Sequence, residues 1–242
     1  MAVQNRARRS WIGCGLTLVV IVICFSIANA LIPNWGSTPA EQAQALPGDE
    51  IFAKPVLKWV NGITINASPE EVWPWIAQMG DTHGGYYSYR YIEKAVTAMA
   101  GVDTSRYYPN TNEIHPEWQS PTIGQGMIMD AFVLRDYKAN EYMVAAPPPE
   151  MDEGGLLWTW YLAPTEDGRT RLLVHMSIQI PGMEGNKAVE TGFNLATFMM
   201  ERKMMVGIKQ RAEGGMEADW VQYAEALLWF LTLGIGLIAA RR

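Results

Sequence analysis

The chain has 242 residues, 49% of them hydrophobic, with 19 Lys+Arg against 25 Asp+Glu and a formal net charge of −6. That length suits one ordinary domain with attachments, and the acidic balance argues against nucleic acid as a partner. Cys14 and Cys24 sit ten residues apart in one apolar run, so neither a disulfide framework nor a cysteine metal site is available.

That run, Trp11 to Ile32, holds no charged residue and matches the ~20 residues a helix needs to cross a bilayer. It predicts a transmembrane helix over 11–32 behind a basic N-terminus, 1–10. A secretory signal peptide is the alternative, since Ala28-Asn29-Ala30 offers a small-residue cleavage site. From 33 to 55 the chain is rich in Pro, Gly, Ala and Gln with little periodicity, which reads as a linker.

The folded domain is expected over 56–214. It opens on a short alternating strand around Ile63 and Ile65, followed by a helix start: Ser68 as N-cap, Pro69 in the first helical position, Glu71 completing a capping box. Val72, Trp73, Trp75, Ile76 and Met79 then point to a core, and Gly80 stops the helix. Next comes "GGYYSYRYIEK", residues 84 to 94, with four tyrosines and Arg90 in eleven positions. Four stretches follow that are rich in β-branched or aromatic residues: "GMIMDAFVLRDY", "NEYMVAA", "LLWTWYLAP" and "TRLLVHMSIQI". Asp167-Gly168 marks a hairpin between the last two, and no long helix separates the strands, so the sheet is antiparallel. From Ala188 to Glu213 no proline intervenes, and Val189, Phe193, Ala196, Met200, Met204 and Ile208 recur at spacings of three and four, on one face of a long helix. Gly207 shares that face and allows close approach.

The last apolar segment, Ala226 to Ala240, is short for a span; with Trp220 and Tyr223 at headgroup level it gives a second predicted transmembrane helix over 221–240, closed by a basic end at 241–242. A buried soluble helix is the competing reading. All 25 acidic residues fall between Glu41 and Glu225, and five arginines lie outside the two apolar runs. The positive-inside tendency therefore places the protein in the cell membrane with both termini cytoplasmic and the domain extracytoplasmic.

"ITINASPEEVWPWIAQMG", "GGYYSYRYIEK", "IHPEWQSPTIGQGM", "WTWYLAPTEDGRTRLLVH" and "FMMERKMMVGIKQRAE" occur in an order and spacing that resembles bacterial SRPBCC proteins, relatives of START lipid-transfer domains and polyketide cyclases. The resemblance covers Lys58 to Glu213 and omits both apolar ends. It implies an α+β helix-grip fold, in which a curved antiparallel sheet wraps around the long C-terminal helix and leaves an apolar cavity. Members of that family bind or move lipids and other hydrophobic molecules, and a minority are enzymes. No catalytic set carries over from it to this chain.

With such a cavity, the candidate ligand-binding residues are Tyr87, Tyr89, Arg90, Trp158, Trp160, His175, Phe193, Met200 and Met204. Tyrosine hydroxyls could bond a head group, Arg90 a carboxylate or phosphate, while tryptophans and methionines supply apolar walls. Each of these also has a plain structural reading: the tyrosines and tryptophans as packing, Arg90 as partner of Glu93. Trp158 and Trp160 share one strand face, and His175 points away from the face of Leu172, Val174 and Met176. The three histidines share no metal-ligand spacing, and no nucleotide or hydrolase motif occurs, so no metal or cofactor is expected. The leading expectation is a membrane-anchored, non-catalytic module for a hydrophobic small molecule or lipid. Its competitors are a cyclase-type enzyme using His175, Tyr89 or Asp130, and an interaction subunit of a membrane assembly whose protein partner the sequence does not name.

Overall fold

The computed structural model describes residues 34–99, 103–105, 107, 110–128, 132–151, 154–182, 185, 187–216, 218, 220–227 and 229. The span expected over 11–32 lies outside these residues, as do most of the second one, Asp130 and the side chain of Phe193. Among the described residues no helix is long and apolar enough to cross a membrane. The chain divides into two units, Pro33–Ala218 and a second made of Met1–Ile32 with Asp219–Arg242; in the latter, 220–227 and 229 are helical.

The first unit is α+β. Its described residues form six strands, β1 (Leu57–Ile65), β2 (Gly126–Ile128), β3 (Phe132–Lys138), β4 (Tyr142–Ala146), β5 (Gly155–Pro164) and β6 (Thr170–Gln179). They form one antiparallel sheet in the order β1-β6-β5-β4-β3-β2. Strands β2 to β6 are a meander of neighbours, and β1 returns to the far edge beside β6. The helices are α1 (Pro39–Ala43), α2 (Pro69–Ala77), α3 (Arg90–Met99) and α4 (Lys187–Ala212).

Local chemistry sets these boundaries. The Ser68 backbone N–H donates to Glu71 Oε2 at 2.8 Å, which satisfies a donor that the first turn of α2 would leave orphaned. Gly80, at φ 147, lets the chain leave the helix end in a conformation that a side chain would strain. At the β5–β6 hairpin Gly168 takes φ 80, and Thr165 N–H closes the turn on the Arg169 carbonyl at 2.8 Å.

The alternation of strand residues gives the sheet two faces. The inner face carries Leu134, Trp160, Leu162, Leu172 and Val174, which join Val72 and Ile76 of α2 and Met204 and Ile208 of α4 in the main core. Helix α4 packs against β1 and α2. It also passes close to the loop before α3: a Cβ on Gly207 would run into the Tyr87 carbonyl. Tyr87 itself is held at φ 57, an uncommon conformation for a non-glycine residue. Its backbone N–H donates to Asn110 Oδ1 at 2.9 Å, and its hydroxyl donates to the Trp75 carbonyl at 2.9 Å.

The segment that composition marks as a linker is packed on the outer face of the sheet. Phe52 clusters with Val144, Ala146 and Leu157, and Leu46 with Val60 and Leu173. Thr159 Oγ1 donates to the Pro47 carbonyl at 2.8 Å. The reason is that β4, β5 and β6 are apolar on both faces, so the outer one also needs cover; burying such side chains contributes roughly 1.5–3 kcal/mol each.

Candidate functional site

A cavity of about 510 Å³ lies between the inner face of the sheet, α3 and α4. Strands supply Ile128, Phe132, Leu156, Trp158 and Met176; α4 supplies Met199, Met200 and Met204; Ile92 comes from α3. The volume falls within the ~300–1,000 Å³ range of small-molecule pockets. Thioethers on three helix positions give that wall side chains that adapt to irregular apolar shapes.

Polar groups gather at one end: Asp81, Tyr86, Ser88, Glu93 and Thr97. Arg90 organises them from behind. Its Nη1 lies 3.0 Å from Glu93 Oε2 and 3.6 Å from Asp81 Oδ1, and its Nη2 donates to the Asp81 carbonyl at 2.9 Å. The guanidinium also sits 4.9 Å from the centre of the Tyr107 ring. Burial pushes the Glu93 carboxyl up to about 7, although Arg90 pulls it down. Burial likewise raises the Tyr86 phenol, whose hydroxyl donates to the Met127 carbonyl at 2.5 Å while its ring stacks 6.3 Å from Trp158. Glu93 Oε1 is buried and has no hydrogen-bond partner among the described residues.

Of the residues nominated from sequence, Trp158, Met200 and Met204 line this cavity. Trp160 lies beside Trp158, ring centres 4.8 Å apart, but fully buried in the core. Tyr87 and Tyr89 are buried away from the cavity wall: the Tyr87 ring packs edge-on to Trp75 with the Arg211 guanidinium 4.6 Å above it, and the Tyr89 ring meets the Lys203 ammonium at 5.6 Å. Both Nη atoms of Arg90 are engaged by Asp81 and Glu93, its Nε is buried without a hydrogen-bond partner among the described residues, and Arg90 does not line the cavity. His175 is on the opposite, outer face, beneath the 46–52 segment, with Nδ1 3.3 Å from Asp49 Oδ1. Burial depresses it to about 4, so it is a neutral structural imidazole that does not reach the cavity. The side chain of Phe193 lies outside the described residues.

Four residues of interest were not among the nominated site residues. Tyr86, rather than its neighbours, is the tyrosine that lines the cavity; the turn at Tyr87 breaks the alternation that would have told them apart. Asp81 and Glu93 flank the tyrosine cluster; the pairing of Arg90 with Glu93 at i, i+3 was read from sequence as a structural contact, and the place of the pair at the cavity was not. Glu201, on α4, is fully buried. Asn61 Nδ2 donates to its Oε1 at 2.5 Å, and burial raises its carboxyl to about 8 against the pull of Asn61, Trp59 and Trp158. It is thus a neutral acid at pH 7.

No protein-family model matches the sequence, and no curated protein matches it. Among solved structures, a polyketide-cyclase-like protein of Corynebacterium glutamicum is similar over 66% of this chain and 92% of its own, at 15% identity and a TM-score of 0.37. A protein of Nitrosospira multiformis matches 63% of this chain and 94% of its own, at 16% identity and a TM-score of 0.31. A conserved protein of unknown function from Enterococcus faecalis matches 73% and 84%, at 13% identity and a TM-score of 0.31. Likeness at this level assigns no family, and the functional reading rests on the chain's own geometry.

Proposed function

We propose that this protein is a binding module for a hydrophobic small molecule, held in the cavity between sheet and terminal helix in the manner of a helix-grip domain. The observation that carries the reading is the cavity itself: about 510 Å³ walled by Trp158, Phe132, Met176 and the α4 methionines. A space of this size left unfilled in a core is costly, because lining atoms forgo dispersion contacts, and an apolar occupant restores them. The apolar segments at 11–32 and 221–240 favour attachment to the cell membrane with the domain outside, which keeps the cavity near a lipid source.

Native mass spectrometry of the full chain, with solvent extraction, tests this. A reproducible apolar adduct is expected, absent from Ile128→Trp, which fills the cavity from edge strand β2. An empty, folded wild-type protein overturns the reading and favours an interaction subunit. A second reading, proton transfer on the bound molecule, is favoured by one observation: a carboxyl lifted to about 7 at the cavity wall, near the pH where an acid–base group works best. Conversion of the extracted molecule by wild type and not by Glu93→Gln would establish it.

A further inference from the structure

The polar end of the cavity carries information about what enters it. Side-chain hydroxyls on the wall have each committed a hydrogen to a backbone carbonyl: Tyr86 to Met127 at 2.5 Å, Ser88 to Met200 at 2.8 Å, Thr97 to Glu93 at 2.7 Å and Thr197 to Asn194 at 3.2 Å. The indole N–H of Trp158 stands near the Glu201 carboxyl without a hydrogen bond of normal geometry. The cation at this end, Arg90, stands behind two carboxylates and is 8% exposed. What the wall itself offers is acceptor capacity, above all the buried Glu93 Oε1, which has no hydrogen-bond partner among the described residues; Arg90 Nε also lacks one, but Arg90 is not part of the cavity lining.

A carboxyl group accepts several hydrogen bonds, and one oxygen of Glu93 is occupied by Arg90 while the other is buried with none among the described residues. A buried polar atom in that condition is costly to leave unmade and is best explained by a partner that arrives with a ligand. Arg90 already faces the Asp81 and Glu93 carboxyl groups, so an acidic ligand head would bring a third acid to one guanidinium, whereas an amine or hydroxyl would not.

Resting on the cavity reading above, we infer that the ligand is an apolar molecule whose polar end donates a hydrogen bond to Glu93, an amine or an alcohol, and is not a carboxylic acid or a phosphate. Of the two readings of Arg90 that the sequence offers, anion receptor and partner of Glu93, this inference rests on the second.

The test uses three probes of one chain length, decylamine, 1-decanol and decanoic acid, titrated calorimetrically into the full chain. Decylamine and 1-decanol are expected to bind at least about tenfold more tightly than decanoic acid, the size of one charge-assisted hydrogen bond. Ile128→Trp should abolish all three, which excludes uptake by the apolar ends. In Glu93→Gln the preference for decylamine over decanoic acid should shrink about tenfold, while 1-decanol, which a neutral acceptor still serves, changes less than about threefold. Loss of the amine preference alone identifies a cationic head; equal loss for amine and alcohol identifies a shared donor contact. Decanoic acid binding as tightly as decylamine, or an unchanged ranking in Glu93→Gln, overturns the inference and leaves the cavity reading standing. Failure of all three probes on a folded protein overturns both.

Discussion

Replacing Glu201 by Gln should stabilise the protein at neutral and alkaline pH and flatten the dependence of its stability on pH. Glu201 is fully buried on α4, and its carboxyl is raised from an ordinary 4.5 to about 8. Between those values the unfolded chain has lost a proton that the folded chain keeps, so stability falls as pH rises through the window and levels off above it. With about 1.4 kcal/mol per unit, the loss is roughly 3 kcal/mol between pH 4.5 and 7 and approaches roughly 5 above pH 8. No screening discount applies, since the side chain has no exposed surface. Gln keeps an oxygen to accept from Asn61 and has no charge to desolvate. Urea unfolding followed by tryptophan fluorescence, run on both proteins from pH 4.5 to 9, reads the difference directly. Other titrating groups, Glu93 and His175 included, are common to both chains and cancel. Parallel curves for wild type and variant would refute the reasoning, because they would mean that Glu201 ionises as easily in the fold as outside it.

Two further outcomes follow from the same physics. His175 is held at about 4 by burial, so the unfolded state binds its proton first, and stability is lost as pH falls from 6.5 toward 4. His175→Leu should remove an acid-side loss of about 3 kcal/mol, seen as a urea midpoint that rises relative to that of wild type as pH falls from 7 to 4.5. Gly207→Ala should destabilise by about 1–3 kcal/mol, visible as a lower Tm, because its Cβ meets the backbone of Tyr87 and cannot be accommodated by a side-chain rotation.

Much of the fold was legible because its signals are local and periodic. The Ser68–Glu71 cap, the Asp167-Gly168 turn and the alternation of β5 and β6 each act within a few residues, and α4 begins and ends within one residue of its expected limits. The shared face of Trp158 and Trp160, and the opposite direction of His175, came from the two-residue period of a strand. The candidate site was legible only in part. Alternation tells which side chains share a face, and it does not tell what covers that face. His175 therefore lies under residues 46–52, a segment without periodicity whose packing depends on apolar side chains of distant strands. The polar end of the cavity depends on the loop through Tyr87, where a backbone at positive φ turns Tyr86 one way and Tyr89 another.

The place of β1 in the sheet bears on how the chain is made. Its partner β6 lies more than a hundred residues downstream, from Ile65 with Thr170 to Leu57 with Ile178, whereas every other pair of neighbours is consecutive in the chain. At ~5–20 residues per second of synthesis, β1 waits roughly 5–20 s on the ribosome before the strand that completes it has emerged. During that interval Trp59, Val60 and Ile65, all buried in the finished sheet, lie on an unpaired edge. The meander from β2 to β6 closes through short loops and needs no such delay, so β1 is the strand that docks last and the one a chaperone has most reason to hold.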